Sequence, residues 1–429
     1  MKEMKESNIV YIGRIPQEWS IAKIKNVVTR PVTTGAGEEA QDFSDNSIRY
    51  IRISDFNKDG DILEDKAAYI HKSKGMKYLL EPGDILAATA GATVGKTLLF
   101  QGLDEPACYA GYLANIKVDK SKMNNKYLLY QMHCSIMDDF RAFAVKKSTI
   151  ENISANLYEN MCIILPPLSE QNNIVDFLDL KCKKINTLSA DIQKEIETLE
   201  EYKKSLVFGA VCHGIKDTEL VVTESVIWDA LPREWELKDI KYIIDIKKRI
   251  AGKEGYDVLS ITQRGIQIKD ISTNEGQLAS DYSGYQFVYP GEFAMNHMDL
   301  LTGWVDVSPY FGVTSPDYRV FALKDNEKFD VTYYKYVMQC CYMNRIFYSL
   351  GQGVSNLGRW RLQTSVFNNF KVPVPPYNEQ VEIGHYLDKQ IKEVDAIIEQ
   401  KHEQLTVLSD YKKSLIYEYV TGKKEVPTK

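Results

Sequence analysis

The sequence predicts an α+β protein in which two β-containing segments alternate with two long helices. An internal repeat runs through most of the 429 residues, and each copy ends in a stretch with apolar residues at heptad spacing. Short β-like runs and turn signals occupy the part of each copy that precedes this stretch. Because the same order recurs, we expect domain, helix, domain, helix, with a pseudo-two-fold relation between the copies.

Three short motifs occur twice along the chain, in the same order. The copies of the first motif are 216 residues apart, and the copies of the other two are both 209 residues apart. Since the last two motifs share one offset, the segment between them is repeated without an insertion. The motifs are IPQEW at 15–19 and LPREW at 231–235, PPLSEQ at 166–171 and PPYNEQ at 375–380, and YKKSL at 202–206 and 411–415.

Each Pro-Pro motif is expected to start a long helix. The prolines keep the incoming chain extended, and Ser169 and Asn378 are preferred N-cap residues. The heptad spacing that follows is typical of a coiled-coil seam, and each helix could extend about 40 residues, or roughly 60 Å. Ordinary amphipathic core helices are the alternative, but two matched copies favour pairing. Polar residues that interrupt the seam and would fix its register are Lys181, Glu195, Lys401 and Gln404.

The segments before the helices, residues 15–165 and 231–374, begin and end alike but differ in the middle. Residues 48–53 (IRYIRI) and 285–289 (YQFVY) have the composition of strands. A Pro-Gly-acidic sequence in each segment, PGD and PGE, places glycine where a type II turn needs it. The two segments are therefore expected to be related domains whose interiors have diverged.

Composition limits the possible functions. The net charge is −6, so any DNA-binding surface must be local. No apolar run approaches the ~18 to 20 residues of a membrane helix, and the N-terminus lacks a secretory signal, so we expect a cytoplasmic protein without a membrane partner. The seven cysteines are scattered and have no zinc spacing, which indicates reduced structural thiols and no metal site.

Two motifs suggest enzymes but depart from the required patterns. Residues 90–97 (AGATVGKT) resemble a phosphate-binding loop, yet Ala90 stands where the first glycine of that motif belongs. Residues 374–377 (VPPY) resemble an amino-methyltransferase motif, but Val374 replaces the residue that would hold the target amine. We therefore expect no catalytic site and no cofactor. A nucleotide-binding protein using residues 91–97 and a coiled-coil scaffold without DNA specificity remain alternatives.

The repeated unit resembles the specificity subunits of type I restriction-modification systems, over nearly the whole chain. Supporting strings are YIRISD at 50–55, GATVGK at 91–96 and VTSPDY at 313–318. The resemblance implies two target-recognition domains of mixed α/β fold and two long helices that pair antiparallel as a spacer. It also implies a non-catalytic chain that binds double-stranded DNA and methyltransferase subunits, two of them given the repeat. Whether restriction subunits join them is left open.

On this interpretation the chain divides into five parts, and the diverged domains predict an asymmetric bipartite target. Two similar domains on a helical spacer suit half-sites about one helical turn apart. The parts are recognition domain 1 (1–165), a central spacer helix (166–212), recognition domain 2 (213–374), a C-terminal spacer helix (375–420) and a tail (421–429).

Basic and amide side chains in the domains are the candidate DNA contacts. Lysine and arginine supply salt-dependent phosphate affinity, whereas arginine, asparagine and glutamine can read base edges. Arg49 and Arg52 would share one strand face, and the glycine-rich run 352–361 is the strongest candidate. A solvated surface charge is the alternative for each candidate of the first domain, and a structural turn with Trp360 as an aromatic anchor is the alternative for the glycine-rich run. The candidates are Arg49, Arg52, Lys72, Lys74, Lys96, Lys146, Lys147, Lys248, Arg249, Gln263, Arg264, Asn296, His297, Asn356, Arg359 and Arg361.

The helices supply the candidate partner surface. Their exposed faces include the repeated YKKSL segments, for which helix pairing within the chain is the alternative. The predicted partner-binding residues are Tyr202, Lys203, Lys204, Tyr411, Lys412 and Lys413.

Overall fold

The computed structural model of the chain describes residues 2–56, 62–91, 93–145, 152–270, 281–353 and 360–427. The chain divides into two compact units. The first unit contains residues 1–192 and 403–429, and the second contains residues 193–402. Each unit therefore combines one β-containing domain with part of each long helix.

The domain of the first unit contains two main sheets. One is antiparallel with the order β4-β10-β7-β8, and the other has the order β6-β5-β9, in which β5 and β9 are parallel. The strands are β1 (Met4–Glu6), β2 (Arg14–Pro16), β3 (Ser20–Lys23), β4 (Thr33–Thr34), β5 (Ser47–Ile51), β6 (Tyr69–His71), β7 (Ile85–Ala88), β8 (Thr97–Leu99), β9 (Ala107–Tyr109), β10 (Leu113–Ile116) and β11 (Cys162–Leu165). The helices are α1 (Lys72–Gly75), α2 (Asn125–Met132), α3 (Ser135–Val145) and α4 (Ala155–Asn160), followed by the long helix α5 (Leu168–His213).

The domain of the second unit is built around an antiparallel sheet with the order β15-β22-β19-β20. Its strands are β12 (Leu220–Val222), β13 (Ala230–Pro232), β14 (Glu236–Asp239), β15 (Ile244–Lys247), β16 (Leu259–Thr262), β17 (Gly265–Ile268), β18 (Gln286–Val288), β19 (Phe293–Met295), β20 (Val305–Val307), β21 (Gly312–Thr314), β22 (Arg319–Leu323) and β23 (Lys371–Val374). Its helices are α6 (Val331–Met343), α7 (Ile346–Ser349) and α8 (Thr364–Asn368), followed by the long helix α9 (Tyr377–Val420).

The repeat seen in the sequence is a repeat of structure. In the first unit β3 pairs antiparallel with β11, the strand that leads into α5. In the second unit β14 pairs in the same way with β23, which leads into α9. The hairpins β1–β2 and β12–β13 likewise match in register. Each domain thus brings its first and last strands together at the start of a long helix.

The two long helices run antiparallel in both units. In the first unit the rings of Phe177 and Tyr419 lie 4.5 Å apart, and Lys412 Nζ donates to Asn186 Oδ1 at 2.7 Å. Residue numbers therefore rise along one helix as they fall along the other. In the second unit the same holds for the ion pairs Lys203–Asp395 (2.6 Å) and Glu195–Lys401 (2.5 Å).

The predicted fold class is confirmed, and two of the polar residues expected to interrupt the seam, Glu195 and Lys401, form an ion pair with each other. One local prediction was wrong. Both helices begin two residues earlier than N-caps at Ser169 and Asn378 would require, at Leu168 and Tyr377, so Ser169 and Asn378 lie in the first turn. The carbonyl of Pro167 accepts hydrogen bonds from the amides of Glu170 and Gln171, three and four residues later, which places the proline at the helix boundary.

The core of each unit contains residues from both long helices. In the first unit Leu178 of α5 and Leu415 of α9 are buried in one hydrophobic cluster with Trp19 and Tyr127 of the domain. In the second unit Val207 of α5 is buried in one cluster with Trp235 and Tyr333 of that unit's domain. Burying each such side chain contributes about 1.5 to 3 kcal/mol. The helices are therefore part of each folded unit and are held by its hydrophobic core.

Candidate nucleic-acid interface

The tryptophan of each IPxEW or LPxEW motif is hydrogen-bonded to the glutamate of the Pro-Pro motif. In the first unit Trp19 Nε1 donates to Glu170 Oε2 at 2.9 Å. In the second unit Trp235 Nε1 donates to Glu379 Oε2 at 3.0 Å. Both indole rings are buried. The repeated motifs are thus the two halves of one attachment between a domain and the helix that follows it.

The glutamine after each glutamate completes this attachment. Gln171 accepts a hydrogen bond from the amide of Asn124 at 2.8 Å, and its side-chain nitrogen donates to the carbonyls of Lys122 and Pro166. Asn124 is the N-cap of α2. Because the glutamine is buried and all three bonds are satisfied, it fixes the first turn of α5 against the start of a domain helix.

The second unit repeats this arrangement. Gln380 accepts from the amide of Asp330 at 2.9 Å and donates to the carbonyls of Lys328 and Pro375. Asp330 is the N-cap of α6. Although the middles of the two domains differ, the contacts that hold them on the helices are therefore the same.

Each domain also holds the end of the other long helix. Tyr127 donates its hydroxyl to the carbonyl of Val420 at 2.8 Å, and Tyr333 donates to the carbonyl of Val211 at 3.4 Å. Gly422 and Gly214 follow the two helix ends with φ of +69° and +75°, a conformation that glycine adopts without strain. A side chain at Gly422 would collide with Pro16 and Trp19.

Several predicted DNA contacts of the second domain lie close together. His297 follows β19 and is buried, and its carbonyl accepts from the amide of Leu362 at 3.0 Å. Burial and the positive charges of Arg319, Arg361 and Lys248 lower the pKa of His297 to about 3, so the imidazole is neutral. Its Nδ1 atom has no hydrogen-bond partner in the described part of the chain.

Arg319 belongs to this group, although the sequence analysis did not single it out. It is buried, donates to the carbonyl of Leu362 at 3.1 Å, and lies 4.4 Å from the centre of the Phe367 ring. Its position follows from β22, which pairs with β19 and thereby brings Arg319 opposite Met295. This long-range register is not visible in the local sequence.

The glycine-rich run is joined to the same group at its base. Gln352 and Arg361 form an antiparallel bridge, with backbone hydrogen bonds of 3.0 and 3.1 Å. Residues 354–359, which include the candidates Asn356 and Arg359, lie outside the described residues. The bridge places both ends of the run next to His297 through Leu362.

The other candidates of this domain lie on neighbouring turns. Lys248 Nζ donates to the carbonyl of Pro316 at 3.3 Å. Arg249 pairs with Glu292 and stacks 4.6 Å from the ring centre of Tyr289. The remaining candidates form the turn between β16 and β17 or follow β19: Gln263, Arg264 and Asn296.

The candidates of the first domain are more dispersed. Arg49 lies in β5 and is only 1% exposed, with its guanidinium 5.8 Å from the Tyr69 ring centre. Among the described residues no hydrogen-bond partner reaches its three guanidinium nitrogens. Arg52 makes a bidentate pair with Asp55, at 2.8 and 3.1 Å.

The prediction that Arg49 and Arg52 share a strand face was wrong. Strand β5 ends at Ile51, and Arg52 precedes a short 3-10 helix. Residues three apart in a strand would in any case point to opposite faces.

The lysines of this domain differ in their surroundings. Lys72 and Lys74 lie on α1, where Lys74 is 3.4 Å from Glu38. Lys96 donates to the carbonyls of Ile53 and Phe56, and burial, with a smaller effect of Lys66, lowers its pKa. The candidates Lys146 and Lys147 lie outside the described residues.

Comparison with known proteins decides the family. The sequence model described as "Type I restriction modification DNA specificity domain" matches residues 16–198 and 232–407, one match for each repeat. The chain belongs to this family. The specificity subunit is 21% identical to the type I restriction enzyme MjaVIII specificity subunit of Methanocaldococcus jannaschii, with 96% of this chain and 94% of the relative aligned.

Two further similarities cover most of the specificity subunit. It is 20% identical to the EcoBI specificity subunit of Escherichia coli, over 98% of this chain and 89% of the relative. A solved structure reported for complex assembly and conformational transition of the type I R-M system aligns with a TM-score of 0.68 at 15% identity, covering 96% and 99% of the two chains. This structural likeness shows the fold.

The prediction of a type I specificity subunit is therefore confirmed, and neither alternative function is favoured. In the described residues, no group of three or more histidine, cysteine or acidic side chains could hold a metal ion. None of the helices described is long and apolar enough to cross a membrane.

The candidate partner residues of the specificity subunit lie on the long helices. Tyr202 and Tyr411 occupy equivalent positions and are 50% and 55% exposed. Three of the lysines have partners within their own unit. These pairs are Lys203 with Asp395, Lys204 with Glu201, and Lys412 with Asn186.

Proposed function

We propose that this specificity subunit reads an asymmetric, two-part DNA target, one part with each recognition domain. The observation that carries the proposal is the pair of equivalent attachments, Trp19–Glu170 and Trp235–Glu379, around domains with different interiors. Because the attachments are equivalent, each domain is held in the same way on the helix that follows it. Because the interiors differ, the two domains read different bases. The bounds 1–165 and 213–374 for these domains are part of the proposal.

In the second domain we assign base reading to the surface around His297. His297 itself is buried, so its part is to position this surface: its carbonyl accepts the hydrogen bond from the amide of Leu362. Arg361 and the base of the glycine-rich run adjoin it, and Asn296 precedes it in the chain, whereas Gln263 and Arg264 form the turn between β16 and β17. Lys248 and Arg249 supply charge for the DNA backbone.

In the first domain, Lys72 and Lys74 on α1 are assigned to phosphate contacts, while Lys96 and Arg52, whose side chains are hydrogen-bonded within the domain, add positive charge. Arg49 is buried in β5, so we assign it no phosphate contact; it adds positive charge to the interior of the domain. Phosphate contacts position the protein, and base contacts specify the sequence.

The partners are methyltransferase subunits, two per chain, and the chain itself carries no catalytic site. A partner that binds twice needs a surface that is present twice. Tyr202 and Tyr411 provide one, and the tips of the hairpins β1–β2 and β12–β13 provide another, since Val10 and Val226 are 93% and 98% exposed. Such exposed apolar side chains at equivalent positions fit protein contacts.

The test is to express the chain with a type I methyltransferase subunit from the same organism and to map methylated adenines throughout the host DNA. We expect a bipartite, asymmetric motif with a fixed gap that disappears when this chain is deleted. Replacing His297 with Ala should relax the bases of one half-site only. A stable complex whose methylation pattern does not depend on this chain would contradict the proposal.

A further inference from the structure

A cleft of about 440 Å³ lies in the first unit, where three elements meet. The loop that precedes β8 forms one wall, through residues 93–96. The beginning of α3 forms another, through Asp138 and Arg141, and α9 contributes Lys413. The cleft therefore joins the recognition domain to the C-terminal spacer helix.

The charged residues that line this cleft are mostly positive. Lys96, Arg141 and Lys413 face a single carboxylate, Asp138, which lies 3.8 Å from the guanidinium of Arg141. Like charges held close together repel each other, and an anion in the cleft would relieve the repulsion. The lining thus has the charge of an anion-binding site.

Lys413 is the residue that distinguishes this cleft from an ordinary surface. Its repeat counterpart, Lys204, pairs with Glu201 three residues earlier. Asp410 occupies the same position relative to Lys413, yet the two do not pair, and Lys413 has no ion-pair or hydrogen-bond partner across the ranges that the structure describes. Its ammonium group is therefore available in the cleft, and the feature is absent from the other repeat.

The loop itself is not built to hold a nucleotide. A phosphate-binding loop cradles phosphates with free backbone amides. Here the amides of Val94, Gly95 and Lys96 donate to the carbonyls of Gly91, Ala88 and Thr93, at 3.0 to 3.2 Å. Any anion in the cleft must therefore be held by side chains, which suits an isolated phosphate better than a triphosphate.

We propose that this cleft binds a backbone phosphate of duplex DNA, with Lys413 and Arg141 as its ligands. Lys96 adds positive charge, but its ammonium already donates to two carbonyls. The inference rests on the proposed DNA-binding function and moves Lys413 from the partner surface to the DNA surface. Because a phosphate contact carries no base information, its loss weakens binding to every sequence equally.

The experiment measures the salt dependence of binding of the full chain, assembled with its methyltransferase, to a duplex of unrelated sequence. Removing one phosphate contact lowers the slope of log K against log salt by about 0.9, which weakens binding about eightfold at ~0.1 M salt. We expect this for Lys413→Ala and restoration by Lys413→Arg. Lys392→Ala, an exposed lysine of the same helix outside the cleft, is the control and should leave the slope unchanged.

Three results would overturn the assignment. The first is an unchanged slope for Lys413→Ala, and the second is an equal loss for Lys392→Ala. The third is saturable binding of ATP or inorganic phosphate by the full chain that Lys413→Ala abolishes while duplex binding persists. The duplex has an unrelated sequence, so this assay does not depend on target reading. If Lys413→Ala changes the slope but the wild-type complex prefers no DNA sequence, the cleft assignment stands and the proposed target reading is refuted.

Discussion

Replacing Gln171 with Ala should destabilise the first unit by about 3 kcal/mol. The substitution leaves three backbone groups without their partners: the amide of Asn124 and the carbonyls of Lys122 and Pro166, bonded at 2.8, 3.2 and 2.9 Å. An unsatisfied buried group costs about 1 to 3 kcal/mol. Only the bond to Pro166 is fully buried, and water can reach the other two groups, so the sum stays near the lower end.

The measurement is native-state hydrogen exchange in increasing urea, read by mass spectrometry on peptides from α2. These peptides adjoin Asn124 and report the free energy of opening of that region. Gln193→Ala is the matched control, because Gln193 is an exposed glutamine on the same long helix. If Gln171→Ala lowers the free energy of opening by less than about 1 kcal/mol, or if the control lowers it equally, the reasoning about buried hydrogen bonds is refuted.

Three further predictions concern stability and are measured by urea unfolding. Gly422→Ala should lower the free energy of unfolding by about 2 kcal/mol or more, because of the positive φ at this position and the collision with Pro16. Gly209→Ala should raise it by up to about 1 kcal/mol, because this glycine lies inside α5 with space for a side chain. Glu195→Lys should lower the free energy of unfolding by about 1 kcal/mol, and the double variant that adds Lys401→Glu should recover this loss. If the double variant does not recover it, the two side chains do not pair. The folded pKa of His297 is lowered to about 3, so stability falls as pH drops from about 6.5 towards 3. As the pH falls to ~4, the free energy of unfolding of the wild type should decrease by about 3 kcal/mol more than that of His297→Asn. Parallel curves of unfolding free energy against pH for the two proteins would refute this.

The sequence predicted the parts of the molecule that repeat, because a repeat can be read without knowing any contact. It identified both long helices, their pairing and the motifs at their ends. It could not show that Trp19 bonds to Glu170, since 151 positions separate them. The burial of Arg49 and the position of Arg319 depend on which strands are neighbours, and short strands with little pattern do not reveal their order.

The two units also differ in when they can form during synthesis. The second unit is one continuous stretch, residues 193–402, whereas the first needs residues 403–429 to complete its core. Trp19 leaves the ribosome long before Leu415, although the two residues share one core. Although domains usually fold in the order of their synthesis, the first unit cannot complete its core until residues 403–429 have been made. A chain that ends before residue 403 would therefore lack part of the core of the first unit.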